Sequence, residues 1–342
     1  MLYFHIYAEV KNNSQKRIEV NYQKYIIIQS WSESLRIWCI NDILQKMYSE
    51  IKECKGRGIS KLYMRHFEIA RRTMYGWLNG TSPITVFHLM KFIKLWKNSC
   101  EKSNEEEAKI IKSVFSHSLY FSVEKGRKIK LPTDITADLA YLIGYVIGDG
   151  CLSGKNLIKR SQFRIRIASD TKKFLNQIIN PLFHQLFSIK GRIYKITNSQ
   201  CYELSVQSKV LYLFLNKICD IPIGKKKGKL TIPTIISKGS KKIKFAFISG
   251  FFDADGCIYE KQKAIIFAQA DRKFLTMLRR LLNNLNINMR PIYTKRKELG
   301  TTYECSVRFN SLKNFLDNAQ FAHQNRIKRA NNLRNIIMAN SF

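Results

Sequence analysis

The residues of this chain best placed to do chemistry are two aspartates, Asp149 and Asp255. Each closes an apolar run and is followed by glycine. The runs are Leu142-Ile143-Gly144-Tyr145-Val146-Ile147-Gly148-Asp149-Gly150 and Ile248-Ser249-Gly250-Phe251-Phe252-Asp253-Ala254-Asp255-Gly256. In each, one small residue sits four positions before another, Gly144 before Gly148 and Gly250 before Ala254. On a helix such positions share a face, and a face without side-chain bulk lets two backbones approach closely. If the two helices pair along these faces, two carboxylates meet at one end of an apolar seam and repel. That end is also the negative end of both helix dipoles. Something positive must offset this, and a hard divalent cation with oxygen ligands, Mg²⁺ first, is the simplest candidate. The glycine after each acid suits the left-handed residue that commonly ends a helix. A terminal Asp-Gly is also ordinary turn chemistry, which explains one copy better than two at matching places of a repeat.

The elements that must position these acids are themselves repeated from Asp134 onward. Tyr202-Glu203-Leu204-Ser205-Val206 is mirrored by Tyr303-Glu304-Cys305-Ser306-Val307, Leu211–Leu215 by Leu312–Leu316, and Asp170 by Asp271. Each unit reads as motif helix, two strands, helix, two strands, helix. The first carries a few extra residues between Ser153 and Ser161. Side chains of Gln162-Phe163-Arg164-Ile165-Arg166-Ile167 alternate between faces. Phe163, Ile165 and Ile167 are expected in the core, with Gln162, Arg164 and Arg166 on an outer face suited to phosphates and purine edges. In the matching strand, Lys263 to Gln269, Ile265 and Phe267 take the arginine places, with Lys263 as its basic contact.

The two apolar stretches resemble the signature of the LAGLIDADG homing endonucleases in their single-chain, two-motif form. Asp149 and Asp255 match the metal-binding acid, and Gly150 and Gly256 the closing glycine. The second copy matches closely. The first departs at Ile147, where the signature has an acid. The resemblance spans Asp134 to Ile337 and implies an α+β fold of two pseudo-symmetric αββαββα units, joined at the motif helices, whose antiparallel sheets form a DNA saddle. It implies a metal site at Asp149 and Asp255, with Gly148 and Ala254 beside them, taking Mg²⁺ with Mn²⁺ as a substitute. Each acid is expected to serve one strand. The product is a double-strand break with short 3′ overhangs, in a long non-palindromic duplex bound by a monomer. Ile221-Pro222-Ile223-Gly224-Lys225-Lys226-Lys227 resembles the family's lysine-bearing loop, with Asn325-Arg326-Ile327-Lys328-Arg329 as its counterpart after the second unit. Lys225, Lys226, Arg326 and Lys328 are therefore candidates for charge stabilisation or water orientation. Gln269 is a candidate for positioning the water.

Upstream of the repeat, residues 1–130 are expected to form a mainly helical domain. The boundaries that follow are 131–240 for the first unit and 241–342 for the second. Helical spacing marks Leu35 to Ile51, with strands expected in 2–10 and 25–29. The segment of about 59–95 resembles a repressor-type helix-turn-helix: a short helix capped by Ser60, then Arg71 to Leu78 stopped by Asn79-Gly80, then a helix opened by Ser82-Pro83. That resemblance places Arg71, Arg72, Thr73 and Tyr75 at DNA and Trp77 and Leu78 in the core. Glu101 to Glu107 begins a solvated helix, and Lys125 to Lys130 with Leu131-Pro132-Thr133 reads as a linker.

Composition narrows the partner. The 342 residues include 59 Lys+Arg against 25 Asp+Glu, a net charge of +34, with an apolar fraction of 45%. A folded chain with this excess calls for a polyanion, nucleic acid before an anionic membrane surface, because the basic residues are not gathered on one amphipathic helix. No apolar run approaches the ~20 residues of a membrane span. The eight Cys show no zinc-ligand spacing, which points to free thiols in a reducing interior. No signal peptide is expected. These features fit the cytoplasm beside the nucleoid, or an organelle with an AT-rich genome. With no Cys or Ser at the start and no His-Asn at the end, protein splicing is not expected. Two alternatives to an endonuclease keep the same scaffold: a non-cleaving DNA-binding regulator, and an intron maturase with RNA as partner.

Overall fold

The computed structural model describes residues 35–56, 65–118, 120–124, 126–132, 134–159, 162–297 and 300–339. The strands expected near the N-terminus and the short helix at Ser60 lie outside them.

Its axis is a pair of helices, α5 (Ala137–Asp149) and α11 (Lys241–Asp255). Every residue from Leu139 to Ile147 is buried, as expected of a helix apolar on all sides. Each helix starts at a side-chain cap. Thr136 Oγ1 accepts the Leu139 N–H at 3.1 Å, and Ser240 Oγ accepts that of Ile243 at 3.4 Å. The small-residue faces meet as expected. A Cβ on Gly144 would lie 2.1 Å from the Phe247 carbonyl oxygen, and one on Gly250 2.0 Å from that of Tyr141. The two contacts are reciprocal, as a pseudo-twofold axis between the helices requires. The closing glycines differ from expectation. Gly150 (φ −92°, ψ 163°) and Gly256 (φ −94°, ψ 159°) are extended, not left-handed. They are needed for space: a Cβ would meet the Val146 carbonyl oxygen at 2.5 Å in one and the Phe252 ring at 2.2 Å in the other.

Each motif helix runs directly into a four-stranded antiparallel sheet. The first holds β5 (Gly150–Leu152), β6 (Arg164–Ser169), β7 (Arg192–Lys195) and β8 (Tyr202–Gln207), in the order β5-β6-β8-β7. The second holds β9 (Gly256–Tyr259), β10 (Ala264–Gln269), β11 (Tyr293–Lys297) and β12 (Gly300–Ser306), in the order β9-β10-β12-β11. The extra residues of the first unit lie where expected. A short helix, α6 (Lys155–Lys159), joins β5 to β6, whereas a tight turn joins β9 to β10.

Beneath the first sheet, α7 (Lys172–Phe174) passes through a π-helical turn (Leu175–Ile179) into α8 (Asn180–Phe187), and α9 (Lys209–Lys217) follows β8. After the short α10 (Thr234–Ser237) and α11, the second unit adds α12 (Arg272–Asn283) and α13 (Leu312–Asn318). Rings of Phe187 and Phe214 fill the first core at 5.7 Å between centroids, and Phe252, Phe267 and Phe315 the second at 5.1–5.8 Å. The counterpart of the lysine loop is not a loop: Arg326 and Lys328 lie on a helix, α14 (Gln324–Ala339).

The strand register corrects one expectation. Ile167 opposes Gly150 in the first sheet, and Phe267 opposes Gly256 in the second. The true counterparts of Ile165 and Ile167 are therefore Ile265 and Phe267, all four fully buried. Ala264 and Ile266, not Ile265 and Phe267, take the places of Arg164 and Arg166. A one-residue shift exchanges the faces of a strand, and the sequence repeat conceals such a shift between the motif and β12. By the same shift Asp271, which caps α12, matches Thr171 before α7 and not Asp170. Lys263 lies in the β9–β10 turn with φ +45°, off the strand.

The N-terminal region holds α1 (Asn41–Lys55), α2 (Arg71–Leu78), α3 (Val86–Ser99) and α4 (Asn104–His117). It also holds a four-stranded sheet that was not expected, in the order β2-β1-β3-β4, from β1 (Leu35–Trp38), β2 (Ile84–Thr85), β3 (Tyr120–Val123) and β4 (Ile129–Lys130). Ser82-Pro83 leads into β2, and α3 starts at Val86 with Thr85 as its cap. The segment 125–130 is not a free linker. Its end is strand β4, and β3 and β4 pack on α9 and α8 of the first unit.

Candidate active site

At the end of the helix seam the two acids meet a shared, buried environment. The place where a Gly148 side chain would begin is 2.4 Å from the Ala254 Cβ and 3.4 Å from Asp255 Oδ2, so the residue preceding Asp149 lies against Asp255. Burial raises the pKa of Asp255, and the charge of Asp149 raises it further, to about 7, against the opposing effects of Lys226 and of a hydrogen bond from Gln269. Burial likewise raises Asp149, with Lys226, Arg326 and His323 pulling it back. The cation between them is Lys226. Its Nζ donates to the carbonyl of Ile147 at 2.8 Å and to that of Gly148, capping the negative end of α5. Burial lowers its own pKa, and the two aspartates raise it. The loop that carries it is fixed to β5, where Gly224, at φ +71°, donates its N–H to Leu152 O at 3.0 Å. It is also fixed to the second unit, where Asp271 Oδ2 accepts the Gly228 N–H at 2.7 Å.

Other side chains complete the site asymmetrically. Gln269 Nε2 donates to Asp255 Oδ2 at 2.7 Å, and its Oε1 accepts the Ala270 N–H at 2.8 Å, so this amide orients the carboxylate. The first unit has Ser169 at the equivalent strand position, opposite Tyr202 as Gln269 is opposite Tyr303. Asp253 occupies the signature position that Ile147 lacks. It is a clamp: one carboxylate oxygen accepts from Tyr141 Oη at 2.6 Å, Ala322 N at 2.7 Å and His323 N at 3.1 Å. The clamped segment delivers the His323 ring to Asp170, with Nε2 3.0 Å from Oδ1. Sequence reasoning missed Asp253, His323, Asp170 and Tyr141. Only the Asp-for-Ile difference between the two motifs hinted at them.

The remaining candidates are spread as follows. Arg326 is half-buried, and its charge reaches Asp149. Lys225 and Lys328 are exposed. Gly148 and Ala254 form the last close contact of the seam, and the Gly148 carbonyl is engaged by Lys226. Arg164 is exposed and Arg166 half-exposed on the outer face of the first sheet, Arg166 lying 3.8 Å from Glu203, with Gln162 half-buried just before β6. An open cleft of about 1120 Å³ crosses that face, bordered by Arg127, Arg164, Lys190, Arg192, Lys195 and Lys209 against only Glu124 and Glu203. On α2, Arg71, Arg72 and Thr73 are exposed and Arg71 lies over the Tyr75 ring, while Trp77 and Leu78 are buried.

The site suits a divalent ion. Two carboxylates whose ionised forms are disfavoured by burial converge at a carbonyl-rich helix end. Among the described residues no group of three His, Cys, Asp or Glu forms a metal site. Hard divalent ions are commonly held by one or two carboxylates, with water or phosphate oxygens as further ligands. Among the described residues no helix is long and apolar enough to cross a membrane.

Comparison with known proteins agrees with the architecture. The model of the LAGLIDADG-like domain matches residues 136–219 and again 242–320, the two halves described above. Both halves of the repeat thus carry a LAGLIDADG-like domain. It is 28% identical over 152 residues to the homing endonuclease I-DmoI of Desulfurococcus mucosus, covering 43% of this chain and 70% of that protein. It is 26% identical over 212 residues to a glutamine–fructose-6-phosphate aminotransferase and 27% over 220 residues to a probable translation initiation factor IF-2, both of Methanocaldococcus jannaschii. Only 18% of each of those two proteins is matched, so their named activities do not transfer. Among solved structures, I-DmoI in complex with DNA and Ca aligns with TM-score 0.44 at 23% identity, over 55% of this chain and 92% of that one.

Proposed function

We propose that the protein is a site-specific homing endonuclease that makes a divalent-metal-dependent double-strand break in a long, non-palindromic DNA duplex. The observation that carries this reading is the convergence of Asp149 and Asp255 at the end of a reciprocal glycine seam, with Asp255 raised to about 7 by burial and by the charge of Asp149. The relationship to the homing endonuclease I-DmoI, and the net charge of +34, support the same reading.

When bound at the two aspartates, Mg²⁺, or Mn²⁺ in its place, would supply an acidified water and charge for the departing 3′ oxygen. The chain's own residues do the rest. Gln269 holds the Asp255 carboxylate in one orientation. Lys226 and Arg326 set the local positive field, favouring the ionised aspartates and the charge that builds on the scissile phosphate. Lys225 and Lys328, exposed at the rim, are assigned to phosphates. Each aspartate serves one strand, and the product carries short 3′ overhangs. Gln162, Arg164 and Arg166 contact the first half of the site and Lys263 the second. Arg71, Arg72, Thr73 and Tyr75 of the N-terminal region, taken as 1–130 ahead of units 131–240 and 241–342, add contacts outside it. Two unlike halves in one chain make the protein a monomer, working wherever its host DNA lies, at a bacterial nucleoid or in an organelle.

The test is a plasmid carrying the intact insertion site of the gene, incubated with purified protein and Mg²⁺. One double-strand cut is expected. Tight, specific binding without a cut under any divalent metal would replace the endonuclease with a regulator.

A further inference from the structure

The two sheets are copies whose outer faces differ mainly in their arginines. The strand registers match them position by position. In the first sheet Arg166 stands between Cys151 and Ser205, and in the second Ile266 stands between Cys257 and Ser306. Ala168 and Glu203 beside Tyr194 are matched by Ala268 and Glu304 beside Tyr293. Cys, Ser, Ala, Glu and Tyr are thus conserved between the faces. Arg164 has become Ala264, Arg166 has become Ile266, and the place of Arg192 falls to Pro291. In the other direction, Lys295 stands 3.3 Å from Glu304 where the first sheet has Ile196, and the exposed Arg308 comes two residues after Ser306 where Gln207 comes two after Ser205 in the first sheet.

These replacements change what each face can read. A guanidinium fork matches the O6 and N7 acceptors of guanine, while an apolar side chain gains from the thymine methyl group. The terminal nitrogens of Arg166 are only loosely held: its ion pair with Glu203 is long at 3.8 Å, and Nη2 meets Cys151 Sγ at 3.9 Å. In the second sheet Glu304 is buried and already engaged by Tyr293 Oη and Lys295, so it offers no free acceptor for cytosine. Ala264, Ile266 and Ala268 alternate along β10 on the face opposite buried Ile265 and Phe267.

We infer that the two faces read chemically unlike half-sites, the first marked by guanines met by Arg164 and Arg166, the second by thymine methyls packed on Ala264, Ile266 and Ala268. This rests on the duplex-binding reading above and adds to it the base chemistry of each half.

The experiment is selection of bound duplexes from a pool with a randomised window, using the full chain with Ca²⁺ in place of Mg²⁺. Guanine is expected at defined positions of one half of the recovered site and thymine in the other. Repeating the selection with Ile266→Arg should create a guanine preference of about 5- to 150-fold at one position of the thymine half, the range expected of one bidentate contact. The complementary Arg166→Ile should erase a guanine preference in the other half, which keeps the test open if Ile266→Arg fails to fold. A defined recovered site with the same base bias in both halves, or with selectivity unmoved by either folded variant, overturns the inference and leaves the function intact. Recovery of no defined sequence overturns both.

Discussion

Replacing Asp255 with Asn should stabilise the metal-free protein, and the gain should depend on pH in a defined way. The carboxyl is raised from 3.8 to about 7, mainly by burial. Between those values the folded state binds a proton that the unfolded state has released, so stability falls as pH rises through the window. Below about pH 3 both states are protonated and the penalty is absent, and at pH 4 it has only begun to develop. Above pH 7 it is complete. Three units at ~1.4 kcal/mol each give about 4 kcal/mol as a ceiling, and relaxation around the site brings the expected gain to about 2–4 kcal/mol. The amide of Asn removes the charge and can still accept the hydrogen bond from Gln269, while Lys226 keeps its two carbonyl partners. In a chain of this size each kcal/mol moves Tm by about 2–4 °C. Thermal unfolding in EDTA at pH 4 and pH 8 reads the effect directly. Nearly equal Tm for wild type and variant at pH 4, and a higher Tm for the variant at pH 8, are expected. A variant that is less stable at pH 8, or a gain of the same size at both values, would refute the argument that uncompensated charge is stored at this site.

Other consequences are separable. Asp149→Asn and Asp255→Asn should each abolish double-strand cutting while leaving duplex affinity within a few-fold, checked by gel shift and plasmid linearisation; linear product from either at the wild-type rate would remove that acid from the mechanism. Lys226→Met removes the cation that favours both ionised aspartates, so the acidic limb of the cleavage pH profile should move to higher pH; an unshifted limb would show that Lys226 only packs. Gly144→Ala forces a methyl into a space 2.1 Å from a carbonyl oxygen, and overpacking of this kind costs about 1–3 kcal/mol or more; denaturant unfolding should show it, and an unchanged midpoint would mean the seam can open. Asp253→Asn disturbs the clamp on Ala322 and His323, so protease sensitivity near residue 322 should rise without loss of divalent-ion binding, and unaltered digestion would contradict the clamp.

Much of this design was legible in the residue order. The paired motifs, the small residues four apart and the alternating Arg-Ile strand each follow from simple periodicities, and the structure repeats them in its helix seam and in β6. What was hidden depended on distances the chain does not display. The one-residue shift that puts Ile266 opposite Arg166 in the repeat arises between elements, so aligning β8 with β12 gives the wrong face for β10, and aligning the motifs runs past the end of that strand. The closing glycines are required by Val146 and Phe252 one turn back, a steric demand that resembles turn chemistry when read as Asp-Gly. Asp253 and His323 meet Tyr141 and Asp170 from the other half of the chain, and no spacing rule joins residues so far apart. The short strands of the N-terminal sheet, only two residues long at Ile84–Thr85 and Ile129–Lys130, carry no periodicity to detect.

The central claim is that burial disfavours the ionised forms of two aspartates until a divalent ion arrives. Calorimetric titration of Mn²⁺ into the full chain at pH 7, in buffers of different ionisation enthalpy, measures it most directly, because an ion can bind only the carboxylate form. With Asp255 near pKa 7, the account predicts release of about half a proton per ion bound, and none from Asp255→Asn. Binding with no proton release, or release unchanged in Asp255→Asn, would contradict it.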